Sequence, residues 1–340
     1  MGKHYLAHLA HVELMTPKLD ESVAFFKDVM GLVEVAREGN SVYLRCWSDY
    51  YHSSLILTTG DQPALGHASW RTFGAEELQQ AVASIEAAGG EGEWLDSSVG
   101  HGPAYRFRGP GGHVAEIFWE VEKYQGAGAL KSTYPDRPQR HRGMGIDPRQ
   151  LDHLTIATKD VRGTARWYCD ALGFRDMAYI ALDHNPEMYV FGVLTTNEKS
   201  HDLGMAGDFS NIPGRIHHLA FWVESNDEMY RAASLLAEAG IEIEYGVGRH
   251  GIGEQTYLYF REPGGVRIEM NSGGYRNYVP DWEPHVWKGS EGPNSMFRNI
   301  PMPESMLEAF PMPGAGAAVG EAELAMAKSI NAQEAVRGES

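Results

Sequence analysis

The sequence predicts an α+β fold of four βαβββ modules, two in each of two tandem halves, each half a curved mixed sheet enclosing a cleft. Two observations predict it. The first is a long-range repeat: HVELMTPKLDESVAFFKDVMGL from His11 parallels HLTIATKDVRGTARWYCDALGF from His153. Each copy reads as a short strand, a capped amphipathic helix and a glycine stop, and the glycine follows the histidine by 20 residues in both (31 − 11 and 173 − 153). Duplication explains the match economically. The second observation is that each half contains another strand-helix unit of the same kind.

In chain order, the first module runs from the His11 strand through a helix stopped by Gly31 to the β-rich runs SVYLRCW and SSLILTT. The second has the strand HASWRTF from His67 and the helix AEELQQAVASIEAA, which stops at Gly89 and Gly90. Residues 121–150 are rich in Gly, Pro and Arg without periodicity, which marks a linker. The third module starts at His153 and continues past Gly173 to EMYVFGVL. The fourth has the strand HLAFWVE, a helix opened by a Ser225/Glu228 capping box and closed by Gly240, then TYLYF and GVRIE. Beyond about Tyr278 the pattern fades into a Pro- and Gly-punctuated tail with one further helical stretch, EAELAMAKSINAQEAV. The expected division is therefore 1–120, a linker at 121–150, 151–285 and a C-terminal arm at 286–340, the arm serving packing or assembly.

Composition narrows the function. With 29 basic against 46 acidic residues the net charge is −17, which argues against a nucleic-acid or anionic-membrane partner. No apolar run approaches the roughly 18 residues of a membrane span, and the N-terminus lacks a cleavable apolar core, so a cytoplasmic protein is expected. Two cysteines cannot build a disulfide framework or a cysteine zinc site.

Chemistry concentrates in RHGIGEQTYLYFREPGGVRIE, residues 249–269. Strand alternation puts Val266, Ile268 and Met270 on one face and Glu269 on the other. The same reasoning sets His153 opposite Leu154 and Ile156. It sets His218 with Ala220 and Trp222, away from His217, Leu219 and Phe221, so His218 is the better cleft candidate. A strand-start histidine usually caps backbone, but two imidazoles and a carboxylate in register on three strands make the set expected of a non-haem Fe(II) site.

The order His153, His218, RHG, YLYFREPGG and Glu269 resembles the type I extradiol ring-cleavage dioxygenases of the vicinal oxygen chelate superfamily, the catechol 2,3-dioxygenase type above all. The likeness covers about residues 5–290. It implies Fe(II), or Mn(II), which the same donors suit, held by His153, His218 and Glu269. It implies further that His201 stands near the O2 position, and that His250 and Tyr259 meet the substrate hydroxyls. A catechol that loses protons as it chelates a cation needs such groups to take them up, and a histidine near neutrality can stabilise and protonate reduced oxygen. The family also implies a homotetramer. Phe191, Val193 and His250 are expected to contribute to the substrate pocket.

The first half carries the same residue types: His11, His52, His67, His101 and Glu116 fall on His153, His201, His218, His250 and Glu269. Tyr259 alone has no counterpart, because Arg106 falls there. A fixed positive charge disfavours a cation, and in the family the N-terminal domain usually carries no metal, so the expectation is a metal-free remnant and one Fe per chain. Two other functions fit the fold. An O2-independent glyoxalase- or epimerase-like enzyme using Zn, Ni or Mn would turn over anaerobically, and a small-aromatic binding protein would lack ligands in both halves.

Overall fold

The computed structural model describes residues 4–297 and 301–312. The tail helix expected at EAELAMAKSINAQEAV lies outside the described residues. The first half contains β1 (Leu6–Thr16), α1 (Leu19–Ala24), β2 (Val33–Glu38), β3 (Ser41–Arg45), β4 (Leu55–Thr59), β5 (Ala64–Thr72), α2 (Ala75–Ala87), β6 (Gly92–Leu95), β7 (Ala104–Arg108) and β8 (Val114–Phe118). The second repeats the order with β9 (Gln150–Thr158), α3 (Val161–Leu172), β10 (Arg175–Leu182), β11 (Asn185–Thr195), β12 (Leu203–Gly207), β13 (Ile216–Trp222), α4 (Asn226–Glu238), β14 (Ile243–Arg249), β15 (Gln255–Arg261) and β16 (Arg267–Gly273). One further strand, β17 (His285–Lys288), pairs with β10 in parallel.

The four βαβββ modules are thus present. In each half the two modules join through their first strands, β1 to β5 and β9 to β13, both antiparallel. The sheets read β2-β3-β4-β1-β5-β8-β7-β6 and β14-β15-β16-β13-β9-β12-β11-β10-β17. Gly31, Gly173 and Gly240 end their helices with φ of 85°, 77° and 71°, a region costly for any residue with a Cβ. Ser225 and Glu228 form the capping box at α4, and Asp160 caps α3 through Gly163 N. The capped helix expected after β1 differs: α1 has no side-chain cap and passes into a π turn, Phe25–Val29. Lys18 precedes α1 where an acceptor side chain would cap it, and Thr16 Oγ1 accepts from Lys18 N instead.

One apolar core runs through both halves, because helices and strands of one half pack on the other. Phe26 meets Phe221, Phe25 meets Phe260, and Trp70 meets Phe174. A buried hydrogen bond from Ser22 Oγ to Glu262 Oε2, 2.7 Å, ties the halves at the Pro-Gly-Gly turn of the second. No helix of the described residues is long and apolar enough to cross a membrane.

His113, buried at the start of β8, donates from Nε2 to the Arg215 carbonyl at 2.8 Å. Burial lowers its pKa from 6.5 to about 4. The unfolded chain therefore binds a proton that the folded chain refuses, and stability present above pH 6.5 is lost as pH falls toward 4. His113→Gln keeps an N–H donor and does not titrate. Urea unfolding is expected to show the wild type losing about 2 kcal/mol more than this variant between pH 7 and pH 5. Parallel losses would remove His113 from the acid response.

Candidate metal centre

Three neighbouring strands position the centre. On the order β16-β13-β9, Ala220 of β13 is paired with Glu269 on one side and with His153 on the other. The small side chain between them lets both lean over the same face, and His218, two residues before Ala220, rises on that face as well. Tyr259 of β15 extends the row, because it pairs with Glu269.

The convergence is close. His153 Nε2 and His218 Nε2 lie 3.1 Å apart, and each lies 3.1 Å from Glu269 Oε2. All three residues are buried, and among the described residues no donor besides the two imidazoles approaches Oε2. Ligands bound about 2.1 Å from one ion stand about 3.0 Å apart at right angles and about 3.4 Å apart at tetrahedral angles. Edges of 3.1 Å therefore fit the facial, right-angled set of a six-coordinate dication, with three positions left open.

Hydrogen bonds fix which nitrogens face inward. Asp152 Oδ2 accepts from His153 Nδ1 at 2.8 Å and from Asn271 Nδ2 at 2.8 Å. That leaves His153 Nε2 with its lone pair toward the centre. His217 Nε2 donates to the Met306 carbonyl at 2.6 Å, so its Nδ1 is bare and accepts from His218 Nδ1 at 2.6 Å. His218 Nε2 is thereby also a lone pair. Such partners set tautomer and orientation in metal sites.

Electrostatics agree with a cation between them. Burial alone lowers a histidine, but the Glu269 charge and the Asp152 hydrogen bond raise His153 to about 9. For His218 burial wins over Glu269, and its pKa falls to about 4. Burial opposes the charge on Glu269, yet His153 and the surrounding hydrogen bonds hold its carboxyl well below the usual range. The place where His153 would hold a proton between two carboxylates is one that a dication would fill in its stead.

His201, just before β12, sets its ring centroid 4.3 Å from that of His153 at a tilt of 56° and lines the same cavity. Burial, then the nearby His153, hold its pKa well below 6.5, so it is neutral. His250 donates from Nδ1 to the Asn294 carbonyl at 2.6 Å, and its Nε2 accepts from Tyr259 Oη at 3.0 Å. Burial and the Glu269 charge push the Tyr259 phenol well above 10. Phe191 lines the cavity with Ile180, Val190 and Ile252; Val193 instead sits in the apolar cluster beneath it.

His217 is the residue that alternation misplaced. The pairing of β13 with β9 slips between Ile216 and His218, a bulge that turns His217 from the opposite face to the cavity rim. Asp152 and the arm carbonyls escaped notice too. The first had a readable signal, a carboxylate directly before a ligand candidate. The second had none, because Met306 and Asn294 act through backbone atoms of a segment without periodicity.

In the first half the same row recurs as Arg106, Glu116, Ser69 and His11, with His67 two residues before Ser69. His11 Nε2 and His67 Nε2 are 3.3 Å apart, and His67 Nε2 is 3.7 Å from Glu116 Oε1. Arg106 donates to Glu116 Oε2 from Nε, 2.8 Å, and from Nη2.

A family model described as Glyoxalase/Bleomycin resistance protein/Dioxygenase superfamily matches residues 8–117 and 150–270, once in each half. Over 290 residues the chain is 37% identical to a manganese-dependent 2,3-dihydroxybiphenyl 1,2-dioxygenase of Geobacillus genomosp. 3, covering 84% of this chain and 91% of that one. A metapyrocatechase of Geobacillus stearothermophilus is 35% identical over 291 residues, 85% and 88% of the two chains. The chain belongs to that superfamily, among its extradiol dioxygenases. Among solved structures, the 2,3-dioxygenase LapB of Pseudomonas sp. KL28 superposes on this dioxygenase with a TM-score of 0.76 at 26% identity, covering 84% of this chain and 98% of LapB. The dioxygenase also superposes on homoprotocatechuate 2,3-dioxygenase of Arthrobacter globiformis, with a TM-score of 0.78 at 25% identity over 91% and 93% of the chains.

Proposed function

We propose that His153, His218 and Glu269 hold Fe(II), with Mn(II) the alternative, and that the enzyme opens an uncharged, apolar-substituted catechol with O2 to a semialdehyde-type product. The observation that carries this is the triangle of buried donors with 3.1 Å edges at the floor of an apolar cavity. Relatives named for manganese and for iron support both metals. When bound, the dication favours the catecholate and orients substrate and O2.

The chain's own groups supply the proton handling. A catechol hydroxyl reaching Tyr259 Oη passes its proton there while the tyrosine proton moves to His250 Nε2, 3.0 Å away. Its Nδ1–H bond to Asn294 keeps His250 ready to accept. His201 holds a neutral imidazole beside His153 in the cavity, where its N–H can donate a hydrogen bond to oxygen carrying negative charge.

The cavity wall sets the substituent. Ile180, Val190 and Phe191 face it from the sheet, Ile252 from the turn between β14 and β15, and Met302 and Met306 from the arm. Among the described lining residues there is no Lys or Arg, and the carboxylate of Asp208 is already paired with Arg215 at 2.8 Å. A carboxylate on the substrate would be desolvated without a partner. The test is aerobic incubation of Fe(II)-loaded enzyme with alkyl-, aryl- and carboxylate-bearing catechols, followed by absorbance of the yellow ring-opened product. Carboxylated members are expected to show kcat/KM at least about 100-fold lower than alkyl or aryl ones. Equal rates would overturn the substrate class, and no colour with any diol would overturn the reaction.

The domain boundaries at 1–120, 121–150, 151–285 and 286–340 belong to this proposal. So does the homotetramer, which rests on the family resemblance. A cytoplasmic setting is supported by the two cysteines, Cys46 and Cys169, both unpaired.

A further inference from the structure

We propose that the first half binds a second, non-catalytic divalent cation at His11, His67 and Glu116, of the four-coordinate kind that zinc prefers. The sequence led to a metal-free remnant on two grounds, the positive charge of Arg106 and the metal-free N-terminal domain usual in the family. The fold adds a carboxylate that spacing did not place there. Glu13, on β1, is paired with His67 across the sheet, and its Oε2 accepts from His67 Nδ1 at 2.8 Å. This carboxylate-histidine pair does for His67 what Asp152 does for His153. It directs Nε2, as a lone pair, at His11 Nε2 3.3 Å away.

Glu13 also answers the charge objection. Around the first-half donors stand two carboxylates, Glu13 and Glu116, and one cation, Arg106; around the second-half donors stand Asp152, Glu269 and Lys199. The formal balance is 1 − 2 = −1 in both. Arg106 binds only Oε2 of Glu116 and leaves Oε1, which accepts from Ser69 Oγ at 3.1 Å, 3.7 Å from His67 Nε2 and 3.8 Å from His101 Nε2. Its place corresponds to that of Tyr259 beside Glu269, so it orients the carboxylate without standing between the donors.

The edges differ from those of the catalytic triangle in a way that selects the ion. The imidazoles lie 3.3 Å apart, His67 lies 3.7 Å from Glu116, and all three donors fall within 4.8 Å of one another, whereas the second half shows 3.1 Å throughout, so the first-half set is the wider one and leans toward the spacing of about 3.4 Å for tetrahedral ligands near 2.1 Å. His11, His67 and Glu116 are all buried, so the ion would pin β1, β5 and β8 together and stabilise the first sheet.

The inference does not depend on the ring-opening reaction, and its test reads the metal directly. The metal-stripped full chain is reloaded with Co(II), whose four-coordinate form absorbs visible light far more strongly than its six-coordinate form. The wild type is expected to take up about two Co(II) per chain and to show the strong band. His67→Ala should lose that band and one Co(II) per chain while the catalytic site stays loaded, and Glu269→Ala should lose the other Co(II) and keep the band. If His67→Ala fails to fold, Glu13→Gln leaves all three donors in place and should weaken the strong-band site about 10- to 100-fold. About one Co(II) per wild-type chain, or a second Co(II) insensitive to both His67 and Glu13, would overturn the proposal.

Discussion

Glu269→Ala is expected to cost one divalent metal per chain and to lower ring-opening turnover at least about 10³-fold, the scale of losing a whole catalytic constellation. The reason is local. Glu269 supplies the single negative charge of the triangle, and its Oε2 is the corner 3.1 Å from both imidazoles. Without it a dication meets two neutral nitrogens in a buried pocket, where an unbalanced charge is costly. The substitution also frees His153 from its strongest raising influence, so the histidine no longer competes for a proton as it does beside Glu269. Lost activity is therefore attributable to the missing charge and ligand. Elemental analysis of the Fe(II)-repleted variant, with circular dichroism to confirm the fold, makes the check. Retained iron and full turnover would remove Glu269 from the site.

His201→Phe is expected to separate chemistry from metal binding. The phenyl ring keeps the volume beside His153 and lacks the N–H, so iron content should stay unchanged while kcat falls about 10²- to 10³-fold, the range for a positioned hydrogen-bond donor. Burial already keeps His201 neutral, hence its removal takes away a hydrogen-bond donor and no fixed charge. Steady-state kinetics beside metal analysis read both quantities. A kcat within a few-fold of wild type would make His201 a packing residue, and loss of iron would make it a support for His153.

Much of this architecture is visible in the sequence because its signals are local. Repeats, glycine stops and the Ser225/Glu228 box depend on neighbours within one module, and the modules stand as read. His153, His218 and Glu269 stood out as polar residues on otherwise apolar strands, and the β16-β13-β9 order brings them together. What stayed hidden required register. A bulge moved His217 to the cavity, and cross-strand pairing brought Glu13 to His67. A tail without periodicity delivers Met306 to His217 and Asn294 to His250 through backbone carbonyls. Val193 shares a face of β11 with Phe191, yet it lies two residues further along the strand and packs in the apolar cluster without lining the cavity.

The central claim is that this centre spends O2 on a catechol, and an oxygen electrode tests it most directly. Fe(II)-loaded enzyme given an alkyl catechol is expected to consume O2 in equimolar amount with the yellow product, and to do nothing under argon. Conversion of the diol under argon, or colour formed without O2 uptake, would contradict the account and point to an O2-independent reaction at the same triad.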